Sequence, residues 1–148
     1  MNKIAVICTS YHKEKIKKML SIVESTAKKL ENLEIEDVYW IPGALEIPFA
    51  LKKISKGPSK GNSKYHGYII LGIIEKGETE HGSVMGQVVI RQLIKFQTKN
   101  LTPIGVGIIG PGADPKQVDE RIEEHAENAT LALSEMLKDP NEWKWKNE

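Results

Sequence analysis

The sequence predicts an α/β fold: a single-domain, three-layer α/β/α sandwich on a four-stranded parallel sheet. Three observations point to it. Four strand-like runs, Ile4–Cys8, Glu34–Ile41, Gly67–Ile74 and Pro103–Ile109, alternate with segments whose apolar residues recur at helical spacing. The run Tyr68-Ile69-Ile70-Leu71 is continuous and apolar, the pattern of a strand buried on both faces of a parallel sheet. A chain of 148 residues with no internal repeat and no break in composition holds one core and not two. Alternation of this kind calls for helices on both faces and right-handed crossovers. The domain is expected over 1–138, with a C-terminal tail at 139–148.

Each element has its own signal. Ile4–Cys8 reads as a buried strand that turns at Thr9–His12. Ile16, Met19, Leu20, Val23, Ala27 and Leu30 then mark one face of an amphipathic helix, with lysines and glutamates between them. Glu34–Ile41 is the second strand, stopped by Pro42-Gly43. Leu45–Ile54 is helical in pattern, and Pro48 is tolerated in a first turn, where its missing N–H goes unused. Lys56–His66, rich in Gly, Ser and Lys, reads as a surface loop. After the third strand, Ser83–Thr98 carries Met85, Val89, Leu93 and Phe96 on one side. Pro103–Ile109 is a fourth strand, expected to break at Gly110-Pro111-Gly112. Asp114 followed by Pro115 is the favoured order for a helix start. That helix carries the stripe Val118, Ile122, Ala126, Ala129, Leu133 and Leu137, and Asp139-Pro140 ends it.

Composition narrows the function classes. Net charge is +1 and no long block of one sign occurs, so charge does not suggest nucleic acid. No run approaches the ~18 apolar residues of a membrane span, and no signal-peptide pattern precedes the first strand. A soluble cytoplasmic protein is expected. Cys8 is the sole cysteine and lies in an apolar run, so it reads as a small buried hydrophobe. The apolar edges exceed what one subunit of this size buries, which points to a homo-oligomer; Trp143 and Trp145 fit either that or a loosely packed end. The chain starts at its first strand, so no N-terminal extension is expected to pair with a neighbouring sheet.

In open α/β sheets ligands bind beyond the carboxyl ends of the strands. After the first strand, Tyr11 can stack on a planar heterocycle; it can equally be a surface loop residue, and His12 reads as solvated. After the second, the turn Pro42-Gly43-Ala44-Leu45-Glu46-Ile47-Pro48 lets a ligand lie against the backbone. Glu46 either accepts hydrogen bonds from a polyol or favours the helix macrodipole. After the third come Gly77, Thr79 and His81 at a helix start, where free N–H groups attract anions. A phosphorylated substrate handled by one acid/base group is the simplest reading, against a charged cap with His81 exposed. Glu78, Glu80 and His81 make a poor metal set, lacking a second histidine or cysteines. Arg121 either clamps phosphate in bidentate fashion or forms an ion pair on a solvated helix face.

Three pieces resemble the lumazine synthase family, and the likeness runs from Lys3 to about Leu137. Pro42-Gly43-Ala44-Leu45-Glu46-Ile47-Pro48 resembles the family's Pro-Gly-Ala-Phe-Glu-Ile-Pro turn. Gly77-Glu78-Thr79-Glu80-His81 resembles its Gly-x-Thr-x-His loop, and Glu120-Arg121 its Glu-Arg pair. The resemblance implies a flavodoxin-like sheet and a cofactor-free enzyme with no resident metal. Its members form pentamers, or hollow icosahedral shells of sixty chains, with active sites between subunits. The implied reaction of riboflavin biosynthesis joins 5-amino-6-(D-ribitylamino)uracil to 3,4-dihydroxy-2-butanone 4-phosphate, releasing phosphate and water.

Position by position, the resemblance implies that Tyr11 stacks on the pyrimidine and that Ala44, Leu45 and Glu46 hold the ribityl chain and ring edge. Ile73, Ile74 and Glu75 run along the uracil, largely through backbone groups. Glu78 and Thr79 meet the phosphate, and His81 transfers protons. Val106 falls where many members have a phenylalanine reaching in from the next subunit, and Arg121 matches a phosphate-binding arginine from that same neighbour. Departures stand beside these matches. Leu45 and Val106 replace aromatics, Glu75 replaces an apolar residue, Glu80 stands where threonine or proline is common, and Ala129 occupies a frequent lysine position. Gly110-Pro111-Gly112-Ala113 adds a residue to the bacterial pattern. Several of these changes resemble the archaeal branch. A riboflavin synthase relative of that branch and a non-catalytic lumazine- or flavin-binding shell are the competing readings.

Overall fold

The computed structural model describes residues 1–57, 65–75 and 81–146. The elements are β1 (Asn2–Thr9), α1 (Lys13–Lys29), β2 (Leu33–Ile41), α2 (Ile47–Lys56), β3 (Gly67–Glu75), α3 (His81–Asn100), β4 (Ile104–Ala113) and α4 (Pro115–Met136). Short 3₁₀ turns cover Ala44–Glu46 and Pro140–Trp143. The strands form one parallel sheet in the order β2-β1-β3-β4. This is the flavodoxin-like arrangement, and its switch point lies between β1 and β3.

Strand alternation sorts the core into two layers. Ile4, Val6 and Cys8 face one side, where they meet Ile16, Met19 and Val23 of α1 and Val118, Ile122 and Leu133 of α4. Ala5 and Ile7 face the other, against Ile47 and Leu51 of α2 and Val89 and Leu93 of α3. β3 is buried from Gly67 through Ile74, so it serves both layers and has no polar face to show. Helices α1 and α4 are further tied by a Lys15–Asp119 ion pair at 3.0 Å. At the start of α4, Gln117 N donates to Asp114 Oδ1 (2.9 Å) while Asp114 N donates to Gln117 Oε1 (3.0 Å). This reciprocal cap satisfies donors that a helix start leaves open.

Three expectations are corrected. Gly110-Pro111-Gly112 does not end the fourth strand, which runs on to Ala113. A register shift between Ile73 and Glu75 lets Glu75 pair with Ala113. Gly110 makes that bulge possible: its φ is 96°, and a Cβ there would sit 1.9 Å from the Ile74 carbonyl oxygen. The second helix begins at Ile47 and not at Leu45, because Ala44–Glu46 first make a tighter 3₁₀ turn. That leaves Pro48 in the first turn, as its chemistry requires.

The end of the Lys56–His66 stretch is not a surface loop, although residues 58–64 of it lie outside the described residues. Tyr65 is buried, edge-on to both Tyr39 and Tyr68, and its hydroxyl donates to the Asp37 carboxylate. His66 is pinned to Lys3 twice: its N–H donates to the Lys3 carbonyl (2.8 Å) and its Nδ1 accepts from Lys3 N (2.9 Å). An aromatic that can bury its ring and still satisfy its hydroxyl overrides the polar composition around it. In the C-terminal tail, Trp143 Nε1 donates to the Glu135 carbonyl at 3.0 Å, while Trp145 is exposed. Among the described residues no helix is long and apolar enough to cross a membrane.

Candidate active site

A cleft of about 470 Å³ opens beyond the carboxyl ends of β1, β2 and β3, at the switch point of the sheet. Each wall follows from a local feature of the chain. β1 ends at Thr9, and the turn that follows places Tyr11 at the rim with its ring exposed. This turn is held to the next strand end, since Ser10 N donates to the Ile41 carbonyl (2.7 Å) and Tyr11 N to the Pro42 carbonyl (3.2 Å). The 3₁₀ turn after β2 brings Ala44, Leu45 and Glu46 to a second wall, with Leu45 and Glu46 outward. Buried Ile73 and Ile74, followed by half-buried Glu75, line the third.

His81 opens α3 at the edge of the cleft, next to Gly82 and Met85. Gly82 lets the helix start come close: a Cβ there would lie 2.9 Å from the Glu75 carbonyl oxygen. The imidazole is exposed and belongs to the same cleft as the Glu46 and Glu75 carboxylates. An aromatic ring, two acceptor-only carboxylates, an apolar floor and an imidazole suit a planar polar heterocycle with a hydroxylated arm.

Eight of the residues singled out in the sequence therefore share this one cleft: Tyr11, Ala44, Leu45, Glu46, Ile73, Ile74, Glu75 and His81. Glu78 and Thr79, with Gly77 and Glu80, lie outside the described residues. Val106 and Arg121 do not line the cleft of their own chain. Val106 sits in mid-β4 opposite Ile70, packed on the α2/α3 side of the core. Arg121 is exposed on the first turns of α4 and makes no ion pair among the described residues, so the intrahelical pairing open to it in the sequence does not form.

His12 was expected to be solvated and is not. Its side chain is only 25% exposed, and Nε2 lies 2.9 Å from Glu75 Oε1. A turn histidine and a strand-end acid sixty-three residues apart carry no joint signal in a linear reading. They meet because β1 and β3 are parallel neighbours in register. The other lining residues are Pro42 and Gly43, which belong to the recognised turn, Gly82, which directly follows the recognised loop, and Met85, one helical turn beyond His81.

The family model described as 6,7-dimethyl-8-ribityllumazine synthase matches residues 1–141. Among curated relatives, a protein of Staphylothermus marinus bearing that name is 33% identical, over 93% of this chain and 87% of its own length. One of Metallosphaera sedula is 32% identical over 92% of this chain and 86% of its own. One of Saccharolobus islandicus is 30% identical over 91% and 84%. All three carry the same name.

Proposed function

Because the chain belongs to the 6,7-dimethyl-8-ribityllumazine synthase family, we propose that its strand-end cleft is where the two substrates of that reaction meet. The protein is a transferase of riboflavin biosynthesis, condensing 5-amino-6-(D-ribitylamino)uracil with 3,4-dihydroxy-2-butanone 4-phosphate. The observation that carries the site assignment is the convergence of three strand ends and the first turn of α3 on one cleft.

The roles follow from chemistry at each wall. Tyr11 stacks on the pyrimidine ring, and Glu46 accepts hydrogen bonds from the ribityl hydroxyls beside Ala44 and Leu45. Ile73 and Ile74 form the apolar bed under the ring. An amine adds to the ketone, an imine forms, phosphate leaves and the second ring closes. Protons move at several of these steps, and His81 can give and take them near neutral pH. Holding two reactants in the attacking geometry supplies on the order of 7–11 kcal/mol in favourable cases. Glu78 and Thr79 are assigned to the phosphate by their motif alone.

Departing phosphate needs a cation, and the cleft of one chain offers none among its described lining residues. Arg121 of a neighbouring copy fills that need, with Val106 of the same neighbour closing the apolar wall. Its exposure and its lack of an ion pair among the described residues fit a guanidinium reserved for another chain. Leu45 at the cleft, Phe49 on α2, and Val84, Val88 and Ile94 on α3 are apolar and exposed. We take them as surfaces covered in a pentamer, alone or within a sixty-chain shell. A cytoplasmic location is part of the same proposal.

The test is direct. Purified protein incubated with both substrates should develop lumazine absorbance with release of one phosphate per product. No product would refute the assignment of the reaction to this cleft. Product from lumazine alone would favour a riboflavin synthase activity instead.

A further inference from the structure

We propose that the Glu75 side chain reads the N–H donors of the pyrimidine, and that His12 is a positioning residue that holds it in place. The identity of the ring rests on the function proposed above; the geometry does not. Cys8 of β1 is paired with Leu71 of β3. Four residues on from that pair stand His12, in the turn just past the end of β1, and Glu75, at the end of β3, so the parallel register brings the turn beside the strand end at the switch point.

The contact is specific in three respects. His12 Nε2 is buried and has no hydrogen bond of good geometry among the described residues, but Glu75 Oε1 lies 2.9 Å from it as an ion-pair partner. The imidazole also lies edge-on to Tyr11, with ring centroids 4.3 Å apart and planes at 62°. Tyr11 and Glu75 line the cleft while His12 does not, so His12 sits behind both and touches each.

Third, His12 occupies the N-cap of α1 in the left-handed region (φ 60°, ψ 44°) and makes no side-chain cap. That conformation is uncommon for a residue with a side chain, and an uncapped start forgoes the stabilisation a capping side chain supplies. The side chain is directed at Glu75 instead of at its own helix.

A carboxylate has two oxygens and only accepts. With Oε1 against His12, Oε2 is left for the cleft, whose floor there is apolar Ile73 and Ile74. An acceptor fixed beforehand loses little entropy on binding and favours a ring edge bearing N–H groups over one bearing only carbonyls. The phosphorylated ketone has no N–H donor, so the preference falls on one substrate alone.

The experiment uses the full-length protein and the variants E75L, H12N and H12N/E75L. Asparagine tolerates the left-handed conformation and can cap α1, so H12N keeps the turn while its shorter side chain cannot reach Glu75. We expect E75L to raise both KM and Kd for ribitylaminouracil about tenfold or more, leaving KM for the phosphorylated ketone unmoved. H12N should shift the same two constants in the same direction by less, and add nothing in the E75L background. Equal rises in both KM values, or additive effects of H12N and E75L, would overturn the inference. Calorimetric titration with ribitylaminouracil alone keeps the two readings apart. A wild-type chain that binds it but forms no product once the phosphorylated ketone is added would sink the proposed reaction, whereas unchanged Kd in E75L would sink this inference.

Discussion

The proposed reaction assigns proton transfer to His81 and charge stabilisation to Arg121, and each role would leave its own kinetic trace. His81→Ala should lower kcat about a hundredfold with modest change in either KM. Arg121→Ala should instead raise KM for the phosphorylated ketone by tenfold or more, on the order of a lost charge-assisted hydrogen bond. Steady-state kinetics with each substrate varied in turn separates the two; an Arg121→Ala enzyme with unchanged response to the ketone would remove that residue from the site. Cys8 has a different consequence. Burial, with a smaller push from the Glu24 carboxylate, raises its thiol from 9.0 to about 12. A value raised in the folded state means that stability is fully present below about pH 9 and is lost as pH climbs from 9 to 12. Tyr65, buried beside Asp37 and also shifted upward from 10.0, acts in the same direction. Urea midpoints should therefore fall across that alkaline window, and Cys8→Ala should flatten the fall. At neutral pH the folded protein should not react with a thiol reagent, while the unfolded chain should react at one site.

Helix α4 and the bulge that precedes it set the end of β4 against Ile74 and Glu75, which line the cleft. Asp114→Ala removes one half of a reciprocal cap and should destabilise the protein by about 1 kcal/mol in denaturant titration. Gly110→Ala is more severe. The new methyl would overlap the Ile74 carbonyl oxygen, which lies 1.9 Å from the ideal Cβ position, in a backbone conformation that disfavours it. We expect a loss of about 2 kcal/mol or more, together with weaker substrate binding, because Ile74 and Glu75 are the residues displaced. A Gly110→Ala protein with unchanged stability would show that the bulge can slide without involving β3. The lesson about legibility sits here too. The start of α4 was readable because its cap is local chemistry: Asp114-Pro115 announces it in two letters. The bulge was not, because Gly-Pro-Gly looks like a terminator until β3 is beside it to resume pairing.

The whole assembly is where the site is completed, if Arg121 serves a neighbour's cleft. At ketone concentrations well below the raised KM, neither His81→Ala nor Arg121→Ala protein alone should turn over well. Co-refolded together, they should regain activity, because mixed oligomers contain interfaces with one intact histidine facing one intact arginine. Absence of recovery, with mixing verified by native mass spectrometry, would place both residues in the same chain's function. Light scattering on the wild-type protein should give a mass of five chains or sixty, and a monomer would leave the exposed apolar face of α3 without a role.

The linear chain determined the class of this protein almost completely. Strand runs, helix stripes and caps are encoded by neighbours within a few residues, and the Pro-Gly-Ala-Leu-Glu-Ile-Pro turn, with the loop before His81, named a chemistry. Much of the cleft was legible for the same reason, since an α/β sheet always brings its strand ends together. What required the third dimension was pairing between distant stretches. The burial of Tyr65 against Asp37, the continuation of β4 past Gly112 and the meeting of His12 with Glu75 all depend on which strands are neighbours and in what register. A side chain's partner across a sheet is set by that register, and no local pattern records it.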